Sequence, residues 1–462
     1  VGWNTNVDLV VNGVEVVKDF PAPLDANRGD VTAIKTMPDF FNAFAYWFEK
    51  GAAAERFVSS PELFQKIVEL ASTKSSRSQF KTGGNAALMA TALADLSCKC
   101  DVLLGGAVGP ELRLLLSSNI RTVAEEVKAG AGRQRKHASH PSMKDNEETA
   151  DAVHLILEYQ KGESWGGLTS PRANRFIVVH DEYNSHMRGL ESMGPVVRHE
   201  SEQDGPFKAF IASGLNQLEP LQAGIREVRL QAVWGQLKAI NTKTPIHLEL
   251  ASMADRSFLR RMFDTLVVYG NSLGLNEEEL AMLYEVLGGT YVETAAKATA
   301  RTFTKDMLTG KVPDPRAVGL AIDYVLAHAD TLPPWANRRI TRVHFHCLAF
   351  HIIAIRLNAK TSYWTPMIDS AVAQGAVAAV LKACGHELLE FEESHIELIA
   401  PMSFTVPDGT MVMVDADEPV GVWVDGAIRY FYAPVPVCNA PKNTVGLGDA
   451  ISANGLAYSL AP

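Results

Sequence analysis

The sequence predicts an α/β protein built on a parallel sheet covered by helices, and three observations carry that prediction. From Phe207 onward, short apolar runs alternate with glycine turns and helical stretches, the rhythm of strands and crossover helices. Between Ala152 and His180, two strand-like runs flank a glycine-rich turn, which suits a separate small sheet. Near the end of the chain a glycine turn feeds a helical pattern, and ligands of open α/β sheets gather at such turns beyond the strand ends.

Taken in order, Val7–Val17 alternates apolar and polar residues around Asn12-Gly13 and predicts a hairpin. Helical spacing marks Phe40–Phe48, Glu62–Ala71 and, after Gly83-Gly84, Asn85–Leu96. Asp101–Leu104 reads as a short strand, and Lys128–Asp151, charged and rich in small polar residues, as an exposed connection. Ala152–Gln160 and Arg175–His180 are the runs of the small sheet, around Gly162–Gly167. Strands of the parallel sheet are expected at Phe207–Ala212, Pro245–Leu250, Thr265–Tyr269 and Val343–Cys347, each followed by a helix, and Asp330–Arg339 reads as a surface connection.

Bulk properties narrow the function. A chain of 462 residues buries a substantial interior, as one large unit with an appended piece or as two domains. Acidic residues outnumber basic ones, 53 to 43, and a net charge of −10 argues against nucleic acid as a partner and for a small-molecule site. The apolar stretch Val343–Ile355 is interrupted by His344, His346 and His351 and is too short to span a membrane. Five cysteines are few for a disulfide scaffold, and Cys98-Lys-Cys100 lacks the spacing of a zinc site.

The chemistry concentrates in Asn443-Thr-Val-Gly446-Leu-Gly448-Asp449-Ala-Ile-Ser452. Glycines let the backbone approach a ligand, and the unpaired amides of a first helical turn suit phosphate. Asp449 beside them is placed to accept a proton from an attacking hydroxyl. On its own the segment also reads as an ordinary N-cap aspartate with turn glycines. It is not a dinucleotide fingerprint, since Ile451 stands where a third glycine or alanine is needed, and Gly310-Lys311-Val312 is not a Walker loop.

This run resembles the GXGD signature of the ribokinase-like superfamily, in the wording of its ADP-dependent sugar kinase branch. The resemblance extends over Gly2–Val11, Gly51–Phe57, Gly83–Met89, His154–Trp165, Asn174–Ile177, Ser213–Leu215, His247–Ser252, Leu273–Leu280 and Arg342–His346. It implies a three-layer α/β/α sandwich (residues 1–8, 81–147 and 183–462) with a smaller α+β lid (9–80 and 148–182). It also implies phosphoryl transfer from ADP to glucose, feeding glycolysis, in a monomer that uses magnesium. ADP-dependent phosphorylation of fructose 6-phosphate and a non-catalytic sensor of the same fold are the rivals.

Residue by residue, the resemblance makes Asp449 the base, with Gly446, Gly448 and Arg175 steadying the transferred group. His247-Leu-Glu249 and Asn276-Glu-Glu-Glu279 match acidic motifs tied to magnesium, the second through ordered water, and Asp449 joins that set. Without the resemblance, His247 and Glu249 read as a solvated strand face, and Asn276 with Glu279 as a capping box. Asn6, Asp8, Glu55, Gly83, Gly84 and Asn85 match the glucose pocket, with Gln160 a further contact. A carboxylate at Glu55 accepts a neutral hydroxyl and repels a sugar phosphate, though an unplaced glutamate also reads as a surface helix charge. Asn85 reads equally as a helix cap. His344 and His346, sharing a strand face, and Val445 with Leu447 fall on the nucleotide side, the histidines as packing or adenine contacts. Cys384 and Cys438 match cysteines of animal-type members and are expected to pair beside the nucleotide. That pair and the resemblance imply the endoplasmic reticulum lumen or secretory pathway, with a leader removed ahead of Val1; the cytoplasm is the alternative.

Overall fold

The computed structural model describes residues 1–23, 29, 31, 33–96, 100–125, 151–201, 207–289, 312–357, 363–385, 396–443 and 445–461. The expectations at Cys98, Gly310-Lys311 and nearly all of Lys128–Asp151, and the residue Thr444, lie outside the described residues.

Two sheets organise the chain. The larger has seven strands, in the order Phe210–Ala212, Ile246–Glu249, Ser272–Asn276, Arg342–His346, Phe350–Arg356, Ile428–Pro434 and Gly421–Asp425. The first four are parallel and the last three antiparallel. Strand residues alternate faces. Leu248, Leu273, Val343, Phe345 and Ile352 pack on one side against Leu237, Phe263, Val318 and Ile322. Ile353, Phe431 and Ala433 pack on the other against Val372, Ala376, Ile451 and Leu456, from helices Ile368–Cys384 and Leu447–Ser459. The result is a three-layer sandwich.

The second sheet has six strands, in the order Ala33–Ile34, Ala54–Val58, Asn174–Val179, Val153–Tyr159, Asn6–Asn12 and Gln79–Gly83. Leu9, Val11, Leu155, Leu157, Phe176 and Val178 form its apolar face. Helix Met37–Lys50 covers that face with Phe40, Phe44 and Phe48, four residues apart and fully buried, and begins with a Thr36–Asp39 capping box. The opposite face of this sheet carries the polar residues described below.

Four expectations about elements need correction. Asn12-Gly13 does not turn a hairpin: the Asn12 side chain accepts the Glu15 amide at 2.9 Å and caps a helix, Gly13–Val17. Val16 and Val17 drop into the same core as Val11, and Gly13 lies so close to the Phe44 ring that a Cβ there would stand 2.9 Å from it. Thr265–Tyr269 is helical; Arg256–Leu266 continues into a tighter turn at Val267–Tyr269, and the strand is Ser272–Asn276. Burial of Leu259, Met262, Phe263 and Leu266 at helical spacing outweighs the β-branched pair Val267-Val268. Arg342–His346 is followed by an antiparallel strand rather than a helix, so the sheet is mixed. Of the connection Asp330–Arg339, Asp330 belongs to helix Pro315–Thr331, and Arg338 is buried, donating to the carbonyls of Ile240, Asn241 and Thr244.

Candidate active site

Register places a polar surface on the six-stranded sheet. Asp8 is level with Lys81 on one neighbouring strand and His154 on the other; His154 is level with Val179, Glu158 with Arg175, and Ile177 with Glu55. With side chains alternating, Asn6, Asp8, Lys81, His154, Glu158, Arg175 and Glu55 all emerge opposite the phenylalanine-lined core. Asn6 Nδ2 donates to Asp8 Oδ1 at 2.6 Å. Burial pushes the Asp8 carboxyl up to about 7, against the pull of His154, Asn6 and Arg175. A Cβ on Gly83 would collide with both Asn6 and Asp8, so only glycine leaves this pair its space.

Among the described residues, three buried amide oxygens on or beside this surface find no donor: Asn6 Oδ1, Asn216 Oδ1 and Gln217 Oε1. Buried acceptors of this kind call for donors, and the hydroxyl groups of a small polar ligand are donors of the right kind. Gln217 Nε2 meets Glu55 Oε1 at 3.4 Å, so the turn after Phe210–Ala212 reaches the second sheet at the expected sugar residue. Glu55 is half-buried on a strand, not on a surface helix. Sequence reasoning missed Gln217, which sits just beyond the matched Ser213–Leu215. It also missed the buried pair of His154 Nε2 and Asp181 Oδ2 at 3.0 Å, in which the acid holds His154 above its ordinary value despite burial. The imidazole at the head of His154–Trp165 was the available signal.

The glycine turn lies where the two sheets approach. Gly446, at φ 69°, is the N-cap of helix Leu447–Ser459, and Ala450 is the first residue whose amide bonds back into it, to Gly446 O at 3.1 Å. The amides of Leu447, Gly448 and Asp449 therefore belong to the open first turn. Val445 and Leu447 flank it, half-buried. Asp449 is not the cap. It is 9% exposed and accepts a hydrogen bond from Asn85 Nδ2 at 2.9 Å, and burial raises its pKa. Asn85, in turn, is no cap: Gly84 holds that position and makes no side-chain cap bond. Arg175 is half-buried, its pKa lowered by burial and supported by Glu158, Asp8 and Asp449.

Beneath the same helix, one face of the parallel strands carries a buried polar strip instead of a solvated one. His247 Nε2 meets Glu249 Oε2 at 2.7 Å, Ser452 Oγ donates to that oxygen at 2.6 Å, and His346 Nε2 meets Oε1 at 3.4 Å. Burial would raise Glu249, but bonds from His247 and His346 outweigh it and hold the carboxyl near about 2. Burial keeps His247 below its ordinary value, whereas His346, buried too, is raised by its bond to Glu249. Ser272 Oγ links His247, at 2.8 Å, to Arg342, at 2.9 Å.

The capping box is present: Glu279 Oε2 accepts the Asn276 amide at 2.8 Å, and Asn276 Nδ2 donates to Oε1 at 2.9 Å. Burial pushes Glu279 up to about 8. Among the described residues, no three His, Cys, Asp or Glu side chains converge as a metal cage. The oxygens of Glu249 and Glu279 are already hydrogen-bonded, a donor set that fits a hydrated magnesium ion held through its waters better than one held directly.

Other expected residues separate from the site. Gln160 is exposed at a turn, its amide donating to Glu163 at 2.7 Å, just past the end of the strand that carries His154 and Glu158. His344 is fully buried, with its ring nitrogens engaged by His351 at 2.9 Å and Arg342 at 3.3 Å, so it packs and presents no nitrogen to a nucleotide. Cys384 and Cys438 form a disulfide that joins the end of helix Ile368–Cys384 to the strand before the glycine turn.

The chain matches the ADP-specific phosphofructokinase/glucokinase conserved region over residues 1–458. It is 34% identical to the ADP-dependent glucokinase of Bos taurus, over 99% of this chain and 84% of that protein. It is 30% identical to a probable ADP-dependent glucokinase of Caenorhabditis elegans, over the same shares. Among solved structures, a hypothetical ADP-dependent phosphofructokinase from Pyrococcus horikoshii OT3 shares the fold, with a TM-score of 0.64 at 18% identity, covering 98% of this chain and 96% of that one.

Proposed function

This chain belongs to the ADP-specific phosphofructokinase/glucokinase family, and we propose that it transfers the β-phosphoryl group of ADP to the 6-hydroxyl of D-glucose, giving glucose 6-phosphate and AMP. The observation that carries the reading is the buried Asp449 carboxylate in the first turn of a helix with open amides, tied by Asn85 to the polar sheet surface. The sugar oxygen forms a bond to the phosphorus as the bond to the departing AMP oxygen breaks, and Asp449 takes the hydroxyl proton. The Gly446–Gly448 amides and Arg175 receive the charge on the group in transit. When bound, magnesium neutralises phosphate charge. Glu249, the Asn276–Glu279 box and Asp449 are the residues that would hold its water shell.

Glucose is favoured over fructose 6-phosphate by Glu55, whose carboxylate meets the sugar on the polar surface and would repel a second phosphate. Intact Asp449 weighs against a sensor without turnover. The six-stranded sheet is the proposed lid, closing to exclude water from the transfer. A monomer is the proposed working form. The disulfide supports an oxidising, secretory setting. Among the described residues, no helix is long and apolar enough to cross a membrane. Side-by-side assays with glucose and fructose 6-phosphate test the acceptor: wild type favours glucose, and Glu55→Gln narrows the preference by about tenfold, the scale of one charged contact. A wild-type enzyme that prefers fructose 6-phosphate would reverse the assignment.

A further inference from the structure

One cation at the glycine turn has no task in this scheme. Lys382 lies in the last turn of helix Ile368–Cys384, and its Nζ stands 2.8 Å from the point a Cβ on Gly446 would occupy. Burial lowers its pKa, and the acids that oppose the shift are Asp449, Asp95 and Asp8. Asp449 takes its hydrogen bond from Asn85 instead, and among the described residues the Lys382 ammonium has no hydrogen-bonded or ion-paired partner.

Its neighbour Lys81 is different. Lys81 Nζ donates to Asn443 Oδ1 at 2.9 Å, and Asn443 Nδ2 donates to the Lys382 carbonyl at 2.9 Å. Lys81 is thus spent on tying the second sheet to the loop before the glycine turn, and the same asparagine fixes the Lys382 backbone while leaving its ammonium uncommitted. A partly desolvated ammonium beside the positive end of a helix is an arrangement of like charges. An anion between them removes the conflict.

We propose that Lys382 is a further catalytic residue, its ammonium contacting the phosphoryl group as it passes across the Gly446–Asp449 turn. Lysine suits this task as a compact charge with three donors on a flexible stem. The inference rests on ADP being the phosphoryl donor.

The test compares full-length wild type, Lys382→Met and Lys382→Arg for turnover of glucose with ADP, and for binding of ADP against AMP, which lacks the transferred group. Lys382→Met is expected to lower kcat by about 10²-fold, the scale of losing one oxyanion donor. It should also weaken ADP while leaving AMP within about twofold, and Lys382→Arg should recover part of the rate. A Met variant whose kcat stays within about threefold of wild type, or which loses ADP and AMP alike, overturns the proposal. If the Met variant does not fold, Lys382→Arg decides: a changed ADP-to-AMP affinity ratio supports it, and an unchanged ratio with unchanged kcat overturns it. A wild type inactive with ADP sinks the donor assignment instead, a result distinct from any of these.

Discussion

Asn6-Val-Asp8 and His247-Leu-Glu249 are the same device on two sheets: a polar residue and an acid, two apart on a strand, hydrogen-bonded at 2.6 and 2.7 Å and buried. Their acids nonetheless diverge, Asp8 rising to about 7 and Glu249 falling to about 2. Geometry is shared and surroundings are not. Among the described residues Asp8 has one amide donor, and the Asn6 oxygen beside it has none; Glu249 has His247, Ser452 and His346, the last raised by Glu249 itself. The first pair is left wanting donors and waits for a ligand. The second has its oxygens already hydrogen-bonded, which suits it to holding an ion through water rather than directly.

Asp449 has its own single donor in Asn85 and gives the largest expected effect: Asp449→Ala should lower kcat by ~10²–10⁴-fold with the fold intact, measured by steady-state assay and thermal melting. Near-normal turnover would remove the base from the mechanism. Next, Glu279→Gln should lower turnover by about 10–100-fold, the scale of a residue one layer from a metal, and shift the magnesium titration. An unmoved titration would leave Asn276 and Glu279 as a helix cap only.

Asp8 sharpens the contrast through pH. With its carboxyl near about 7, the free enzyme holds a proton there below neutrality, so kcat/KM for glucose should fall as pH drops through that value, and Asp8→Asn should abolish that limb. Stability should run the other way. The folded pKa lies above the unfolded one, so the folded state binds more protons and stability declines as pH rises between about 4 and 7. Melting curves that are flat over that window in wild type and Asp8→Asn alike would contradict the assignment. The smallest effect on turnover is expected for Cys384→Ser: about 2–4 kcal/mol of stability from losing the cross-link, read by denaturation.

Three of the four parallel strands and the glycine turn were legible because each follows a local period or a turn residue, whereas the strand Ser272–Asn276 was expected a few residues too early, at Thr265–Tyr269. The mixed half of the seven-stranded sheet was not legible, since Val343–Ile355, apolar apart from its histidines, gives no clear sign of two strands, and the antiparallel return depends on pairing with Ile428–Pro434, remote in sequence. Asn12-Gly13 misled because the same dipeptide serves a hairpin or a helix cap, and packing against Phe44 decides between them. In the site, Asp449 and Asn85 are hydrogen-bonded, Asn6 and Asp8 pair on the facing sheet and Glu249 bonds Ser452 of the Asp449 helix; the family resemblance singled these residues out, whereas spacing alone read caps and a solvated strand face. Gln217, Asp181 and Lys382 did not announce themselves, because their significance lies in contacts that the fold makes between segments remote in sequence: Gln217 with Glu55, Asp181 with His154, and Lys382 with the Gly446 turn.

The most direct test is a coupled assay of glucose phosphorylation by the wild-type protein with ADP and ATP in parallel. Glucose 6-phosphate and AMP should form with ADP, and at most a small fraction of that rate should remain with ATP. Equal or faster turnover with ATP, or no glucose 6-phosphate with ADP, would contradict the account.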